Sequence, residues 1–442
     1  MNNYYPIDEL YKLYKACQQK ITTDTRKLEK GAIFFALKGE NFNANTFAHK
    51  AIEEGCAYAI VDDSGLANGT TILLVRDVLE SLQQLAKLHR KQLKIPVIGI
   101  TGSNGKTTNK ELIHAVLSQK YNTYATKGNL NNHIGVPLTI LSITDKHEMA
   151  IIEMGANHQG EIELLSSIAD PDFGIITNIG KAHLEGFGGE EGIKKGKSEL
   201  YKHIKQKQGS IFINGDDRVL LELSEGINKF YYGNNERFDV HGQNLSTSEY
   251  VEFKWNVKNL GLNAQPLVKT HIFGYYNFIN LLCAACIGNH FNVPENDVNK
   301  ALSEYMPEMN RSQVKKTETN TLILDAYNAN PSSMSLAIEH FMKQPFDNKW
   351  VILGDMLELG IYTEREHREI LEQLSEQNAI QVILIGEHFF KLKLNYTQNK
   401  NYLFFETIEL AKHYLYKNRV TSSTLLIKGS RGIKLESLIG FL

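Results

Sequence analysis

An apolar stretch that runs directly into a glycine-rich loop containing a lysine constrains this chain more than any other feature. Residues 95–108 read Ile-Pro-Val-Ile-Gly-Ile-Thr-Gly-Ser-Asn-Gly-Lys-Thr-Thr, and the apolar residues of 110–118 then recur at helical spacing. A strand, a loop with Gly102 and Gly105, and a helix in this order bring backbone N–H groups around an anion at the helix N-terminus. The segment therefore predicts a phosphate-binding loop at the carboxyl end of a buried strand.

Two side chains of the loop indicate what it binds. Lys106 supplies a positive charge for the terminal phosphates of a nucleotide, and the Thr107 hydroxyl is placed to ligate Mg²⁺. The common motif has a glycine where this chain has Ile100, so the loop is the shorter Gly-x-x-Gly-Lys-Thr-Thr. The alternative is a glycine turn with an incidental lysine, but the flanking strand and helix favour nucleotide binding.

Length, charge and cysteine content exclude several other classes of protein. At roughly 150 residues per domain, the 442 residues predict three domains. The 48 basic residues nearly balance the 50 acidic ones, which argues against a nucleic-acid partner. With no basic-then-apolar leader and no apolar run of ~20 residues, we expect a cytoplasmic protein without membrane insertion. Cys283 and Cys286 lie in an apolar helical pattern and predict core residues, not a metal or redox pair.

Strand-like and helix-like segments alternate through the chain, which is typical of parallel α/β sheets. We predict three α/β domains over 1–93, 94–307 and 308–442, with Pro96 and Pro307 near the joints. Short strands rich in aromatic and β-branched residues from about 229 to 273 predict an antiparallel addition to the central sheet. Predicted strands and helices alternate in the third domain as in a Rossmann-like sheet, although it contains no Gly-x-Gly-x-x-Gly.

Several polar residues of the central domain follow predicted strands, where open α/β sheets bind ligands. Glu153 ends one strand and His183 follows the next. The Glu153 carboxylate beside Thr107 would suit Mg²⁺. Alternatively, Glu153 is a solvated charge and His183 a polar group satisfied by hydrogen bonds, and both interpretations stay open. Lys197 lies in a basic helical run, and its spacing alone predicts a surface lysine.

The third domain offers a comparable edge. Asp325 ends a strand, where an acid suits a ribose hydroxyl, and Asn328 and Asn330 stand at the start of a helix, where an asparagine is equally a cap. Arg311 either reaches a γ-phosphate across the cleft or lies on the surface. Residues 428–431, Lys-Gly-Ser-Arg, form either an anion site or ordinary surface charge.

These residues together resemble the Mur ligases, the ATP-dependent amide ligases of bacterial cell-wall precursor synthesis. The resemblance covers essentially the whole chain, and most of its motifs are close to the branch that adds D-alanyl-D-alanine. The matching segments are Thr101–Thr108, Lys127–Thr139, Glu153–Glu161, Tyr327–Met334 and Gly354–Gly360.

The resemblance implies an N-terminal domain that binds a UDP-sugar-peptide, a central domain that binds ATP, and a Rossmann-like ligase domain. The implied reaction adds D-alanyl-D-alanine to UDP-N-acetylmuramoyl-tripeptide through an acyl phosphate, with diaminopimelate or lysine as the third stem residue. We expect a monomer. The rival interpretations are a sister ligase for an earlier stem amino acid, a folate polyglutamate synthase, or a nucleotide-gated binding protein that uses hydrolysis as a switch.

The resemblance also assigns site residues. Those implied for ATP are Gly102, Ser103, Asn104, Gly105, Lys106, Thr107, Thr108, Asn277, Asn280, Arg311 and Asp325. Those implied for two Mg²⁺ ions are Thr107, Glu153, His183 and Lys197, the last carbamylated by CO₂. The implied catalytic residues are Lys106, Lys197, His183 and Arg311. Those implied for the substrate are Thr25, Arg26, Lys38, Asn45, Thr46, Asn131, Asn132 and Asn328. The chain departs from the family at two places: Tyr276 replaces a histidine, and 43–45 read Asn-Ala-Asn instead of Asp-Gly-His.

Overall fold

The computed structural model describes residues 4–246, 249–308, 310–377 and 380–442. Three separate sheets follow one another along the chain, and each is mostly parallel with helices between its strands. The three-part α/β fold expected from the sequence is confirmed. No helix within the described ranges has both the length and the apolar character to cross a bilayer.

The first sheet has four parallel strands in the order β1-β2-β5-β6, and a small hairpin, β3-β4, lies outside it. The strands of this part of the chain are β1 (Ile21–Thr22), β2 (Ile33–Phe35), β3 (Lys38–Gly39), β4 (Phe42–Asn43), β5 (Tyr58–Val61) and β6 (Ile72–Leu74). Its helices are α1 (Ile7–Ala16), α2 (Ala48–Glu53) and α3 (Val78–Gln92). The hydroxyl of Tyr14 on α1 donates to the carbonyl of Leu141 at 2.6 Å and ties this sheet's layer to the next part of the chain.

The central sheet has nine strands in the order β15-β14-β13-β12-β11-β10-β7-β9-β8. They are β7 (Val97–Thr101), β8 (Thr123–Ala125), β9 (Met149–Glu153), β10 (Phe173–Ile176), β11 (Ser210–Asn214), β12 (Asn228–Gly233), β13 (Val240–Asn244), β14 (Tyr250–Val257) and β15 (Val268–Phe273). The helices are α4 (Lys106–Leu117), α5 (Gly135–Leu141), α6 (Glu161–Ala169), α7 (Leu184–Phe187), α8 (Glu190–Lys197), α9 (Glu199–Gln206), α10 (Arg218–Leu223), α11 (Phe278–His290) and α12 (Glu295–Glu304). Strands β13, β14 and β15 pair antiparallel, as predicted, but β12, which the prediction also included, pairs parallel with both β11 and β13.

Strand order fixes where the central sheet can bind a ligand. Strand β7 is buried along its whole length and lies between β10 and β9. The connection from β7 to β8 and the connection from β9 to β10 therefore run toward opposite edges of the sheet. A reversal of this kind opens a crevice at the carboxyl ends of the strands, and the glycine-rich loop stands there. Helix α11 is buried beneath the antiparallel strands, and the predicted core positions Cys283 and Cys286 on it are buried free thiols.

The third sheet has six strands in the order β16-β17-β21-β18-β19-β20, of which only the β16-β17 pair is antiparallel. The strands are β16 (Gln313–Lys316), β17 (Asn320–Asp325), β18 (Lys349–Gly354), β19 (Gln381–Ile385), β20 (Tyr402–Phe405) and β21 (Ser423–Lys428). The helices are α13 (Pro331–Lys343), α14 (Thr363–Ser375), α15 (Glu387–Lys391) and α16 (Ile408–Lys417). Asn330 caps α13 through a reciprocal capping box with Ser333, and Pro331 stands at its first turn.

Candidate active site

The glycine-rich loop has the backbone geometry that its sequence predicts. Gly102 and Gly105 have φ angles of +142° and +76°, a region that other residues rarely adopt. A Cβ on Gly102 would also collide with Thr177 of the neighbouring strand end. Lys106 turns its ammonium group into the loop, where Nζ donates to the carbonyls of Gly102 at 2.7 Å and Ser103 at 3.1 Å. The loop therefore holds a lysine above a helix N-terminus, as phosphate loops do.

A cavity of about 920 Å³ opens beside this loop, between the central and third sheets. Most residues assigned to ATP, metal or substrate by resemblance lie on its wall. From the central domain these are Ser103, Asn104, Gly105, Lys106, Thr107, Thr108, Asn131, Asn132, Glu153, His183, Asn277 and Asn280. From the third domain they are Arg311, Asp325 and Asn328. The fold thus gathers residues that are more than 220 positions apart in the sequence around one space.

Glu153 carries the one buried carboxylate oxygen of this wall that has no hydrogen-bond partner among the described residues. The side chain is only 2% exposed, and its Oε1 accepts from Thr107 Oγ1 at 3.2 Å and from Asn131 Nδ2 at 2.8 Å. Its Oε2 is buried and unpaired. Because a buried charged oxygen without a partner is costly, the geometry calls for a cation at Oε2.

The donor set suits magnesium held together with a nucleotide. In the described ranges, no group of three or more His, Cys, Asp or Glu side chains is placed to hold a metal ion. Mg²⁺ prefers oxygen ligands, and it is usually bound by one or two carboxylates together with substrate phosphates and water. Glu153 and the hydroxyl of Thr107 are such ligands, so the residues present fit the ion.

Two positively charged side chains, Lys106 and Arg311, line the same cavity. Burial lowers the pKa of Lys106 to about 8, Glu153 opposes this effect, and the nearby Arg311 adds a smaller lowering. The Nε of Arg311 is buried without a hydrogen-bond partner in the described part of the chain, and its Cζ lies 3.5 Å from the ring centroid of Tyr327. Like charges and an unsatisfied donor at one place predict a polyanionic ligand between them.

His183 lies opposite an acidic residue that the sequence did not identify. The histidine precedes α7 with a positive φ of 55°, and its Nδ1 contacts a carboxylate oxygen of Glu358 from the loop after β18. This hydrogen bond with His183 is the largest cause of the lowered pKa of Glu358. The motif Gly354–Gly360, which begins at the last residue of β18, was the available signal for this residue.

The prediction that Lys197 lies on the surface is wrong. Lys197 is the last residue of α8 and is 0% exposed, and its Nζ donates to the carbonyl of Ala156, a residue of the cavity wall, at 3.1 Å. Burial, and secondly Lys106, lower its pKa well below the usual range. The signal was helical spacing, because Lys197 follows the buried Ile193 by four residues and shares its face.

Amide side chains beside the phosphate loop and an ion pair of the third domain provide further polar groups of the site. Asn280 donates to Asn277 Oδ1 at 2.8 Å and accepts from Asn109 at 2.7 Å, so the three amides form a chain. Asp325 pairs with the buried Lys428 at 2.5 Å. These groups offer fixed donors and acceptors to a neutral ring or to hydroxyls.

The five residues assigned to the substrate in the first domain lie apart from the cavity. Thr25 and Arg26 follow β1, and Lys38, Asn45 and Thr46 follow β2, so they lie toward the carboxyl ends of that sheet. Lys38 pairs with Asp62 at 2.6 Å, and the amide of Asn45 donates to the same carboxylate at 2.9 Å. Asp62 was not predicted, although its place directly after β5 was a signal.

Contacts between the central and third domains hold the cavity together. Asn330 donates to Asn104 of the phosphate loop at 2.7 Å, which places the cap of α13 directly against that loop. Beside it, Lys181 pairs at 3.0 Å with Glu366, a carboxylate that is 0% exposed. The third domain therefore contacts the loop itself, and not only its surroundings.

Comparison with known proteins agrees with this arrangement. Residues 100–288 match the family model of the Mur ligase middle domain, and residues 310–431 match that of the Mur ligase, glutamate ligase domain. The chain is 36% identical over 436 residues to the UDP-N-acetylmuramoyl-tripeptide–D-alanyl-D-alanine ligase of Bacillus subtilis (strain 168), covering 95% of this chain and 92% of that protein. The chain belongs to the Mur ligase family.

Among the solved structures that are similar to this Mur ligase are the following two. The crystal structure of MurF from Acinetobacter baumannii matches it with a TM-score of 0.85 at 31% identity, over 97% of both chains. The MurF ligase of Thermotoga maritima in complex with ADP matches with a TM-score of 0.83 at 25% identity, over 96% of this chain and 97% of that one. The family expected from the sequence is thus confirmed, and with it the assignment to the ligases.

Proposed function

We propose that the chain is the ATP-dependent ligase that joins D-alanyl-D-alanine to UDP-N-acetylmuramoyl-tripeptide in peptidoglycan precursor synthesis. One observation carries the proposal: the phosphate loop, Glu153 and Arg311 line one cavity, and within the described ranges Glu153 Oε2 and Arg311 Nε are buried without a hydrogen-bond partner. The relative in Bacillus subtilis, which bears the name of this activity and is similar over nearly the whole chain, supports the choice of substrates.

The first step is phosphoryl transfer. A carboxylate oxygen of the tripeptide attacks the γ-phosphorus of ATP, the bond to the β-phosphate oxygen breaks, and an acyl phosphate and ADP result. Lys106 and Arg311 neutralise the charge that spreads over the transferring group, and the loop N–H groups hold the phosphates that stay. The amides of Asn277 and Asn280 bind the adenine, and Asp325 accepts a hydrogen bond from a ribose hydroxyl.

The second step forms the amide. The amine of D-alanyl-D-alanine attacks the acyl carbon, and the tetrahedral oxyanion collapses with loss of phosphate and of the amine proton. The cations that served the first step stand where this second negative charge develops. Because ATP binds the central domain while Arg311 and Asp325 come from the third, closure of the two domains assembles the site.

Magnesium and a modified lysine belong to the same proposal. Thr107 and Glu153 would hold one Mg²⁺, and Glu153, His183 and a carbamylated Lys197 would hold a second. When bound, Mg²⁺ neutralises phosphate charge and polarises the phosphoryl oxygens. A carbamate on Lys197 gives the buried side chain an anionic oxygen, which suits a divalent cation where an ammonium does not.

The domains divide the substrates among them. We assign the UDP end of the substrate to the domain of residues 1–93, through Thr25, Arg26, Lys38, Asn45 and Thr46. The tripeptide end reaches the cavity past Asn131, Asn132 and Asn328, residues of the domains 94–307 and 308–442. Residues of two domains of the same chain line the cavity, and we propose that the enzyme acts as a monomer.

Phosphate release with defined substrates tests this function. Purified protein is given ATP, Mg²⁺, D-alanyl-D-alanine and either the diaminopimelate or the lysine form of the UDP-tripeptide. We expect phosphate release with at least one form, dependent on both substrates, and a product whose mass equals the two joined with loss of water. Release without amide formation would instead favour a nucleotide switch, and activity only with single amino acids or folates would favour a sister ligase.

Replacing Glu153 with glutamine tests the metal assignment. Glutamine keeps an oxygen that accepts from Thr107 and Asn131 but removes the negative charge, so we expect the Mg²⁺ requirement of ADP formation to rise about 10- to 100-fold. The measurement is the initial rate across a Mg²⁺ titration at fixed ATP. Exposed Glu163 on α6 provides the control, since E163Q changes the same charge outside the cavity. An unchanged Mg²⁺ dependence in E153Q contradicts the assignment.

A further inference from the structure

The contact between His183 and Glu358 joins two domains at one pair of side chains. The histidine belongs to the turn before α7 in the central domain, and the acid belongs to the loop between β18 and α14 in the third. Both residues line the cavity, and the side chains are 19% and 53% exposed. The backbone also takes part, because the Glu185 N–H donates to the Glu358 carbonyl at 3.3 Å.

The backbone at this pair is unusual on both sides. His183 has a φ of +55° and Glu358 a φ of +61°, the left-handed region that residues with a Cβ avoid. Glycine or asparagine would adopt this conformation at lower cost, so the chain keeps a histidine and a glutamate where the backbone favours neither. Such strain at facing residues points to a role for their side chains.

The chemistry of imidazole defines that role. A carboxylate at Nδ1 accepts the Nδ1–H, and this fixes the tautomer in which Nε2 carries the free lone pair. Nε2 makes no hydrogen bond with the described residues, while Nδ1 is occupied by Glu358. The ring is therefore oriented as in a carboxylate–histidine–metal arrangement, in which the acid orients the ligand and raises its basicity.

We propose that Glu358 is a positioning residue that orients His183 toward the second metal ion, so that docking of the third domain completes that metal site. This inference rests on the proposed function, which supplies the metal and the nucleotide. The inference makes the affinity of the central domain for the second ion depend on Glu358, a side chain of the third domain. The first ion, held by Thr107 and Glu153 within the central domain, is independent of Glu358.

A structural alternative assigns Glu358 only to holding the two domains together. Lys181 and Glu366 provide the matched comparison, because they also join these domains but do not contact His183. In K181M, Glu366 keeps Arg365 as a partner at 2.6 Å, so the buried acid is not left unpaired. If docking alone matters, E358A and K181M have similar effects on the metal site.

The test is Mn²⁺ binding to the full-length protein with a non-hydrolysable ATP analogue and the UDP-tripeptide. Mn²⁺ replaces Mg²⁺ at oxygen sites, accepts imidazole, and is detected by electron paramagnetic resonance. We expect two ions per wild-type chain, one of them coupled to a histidine nitrogen. E358A is expected to bind the second ion about 10- to 100-fold more weakly and to lose the nitrogen coupling. E358Q, whose amide oxygen still accepts from Nδ1–H, is expected to keep the coupling, and K181M to match the wild type.

Three results overturn the inference. They are an unchanged second ion with nitrogen coupling in E358A, an equal loss in K181M, and no nitrogen coupling in the wild type. Phosphate release dependent on D-alanyl-D-alanine, measured on the same wild-type preparation, separates this failure from failure of the proposed function. If that release is present while one of the three results is found, only the role of Glu358 is rejected.

Discussion

Replacing Lys106 with methionine is expected to lower the rate of ADP formation by at least ~10²–10³-fold while the protein stays folded. The ammonium group is held within the loop by two backbone carbonyls, at the place where a triphosphate needs a positive charge. Methionine keeps a flexible apolar stem of similar length but carries no charge, so packing is preserved and the electrostatic contribution is lost. The measurement is single-turnover formation of ADP with both substrates present.

A second lysine on the same helix makes the control. Lys110 is 1% exposed, and its Nζ donates to the carbonyl of Thr126 at 2.6 Å and pairs with Glu111 at 2.8 Å, away from the cavity. K110M is expected to lower the melting temperature but to leave ADP formation per folded molecule near the wild-type rate. Near-normal turnover in K106M would refute the role of the loop as a phosphate site.

Local sequence patterns predicted the fold because each element carries its own signal. Strand β7 and the loop after it were readable from an apolar run, two glycines and a lysine, since those residue types alone impose the geometry. The antiparallel strands of the central sheet were readable from a change in composition. Family resemblance then extended the prediction to residues such as Arg311 and Asp325, which the structure brings to the cavity wall.

The remaining features depend on contacts that no local pattern encodes. The contact of Asn104 with Asn330 and that of His183 with Glu358 each join residues more than 170 positions apart. The positive φ angles of His183 and Glu358 are imposed by their surroundings, because neither residue type favours them. Lys197 was misplaced for a different reason: the basic helical run around it predicted a solvated face, whereas it follows the buried Ile193 by four residues and lies on a buried face.

Lys197 is unusual because its Nζ has no acidic partner at contact distance among the residues that the structure describes. The hydrogen bond that its Nζ makes within the described ranges goes to the Ala156 carbonyl, and the Phe187 ring centroid lies 4.8 Å away. An ammonium in such a place is costly, and the neutral amine favoured by burial is the form that reacts with CO₂. The reaction forms an N–C bond, turns one C=O of CO₂ into a carboxylate and releases one proton to solvent.

On the proposed carbamylation of Lys197, removing its amine or withholding CO₂ is expected to abolish most of the ligase activity. K197M should lower turnover by more than about 100-fold, because the proposed metal ligand is lost and methionine supplies no anionic oxygen in place of the carbamate. Wild-type enzyme prepared in CO₂-depleted buffer should lose activity and regain it when bicarbonate is added, whereas K197M should not respond. Carbon-13 bicarbonate should give a carbamate resonance in the wild type that is absent from K197M. Full turnover by a wild-type enzyme whose intact mass shows no added CO₂ would rule out the carbamate and leave Lys197 as a buried amine beside the cavity.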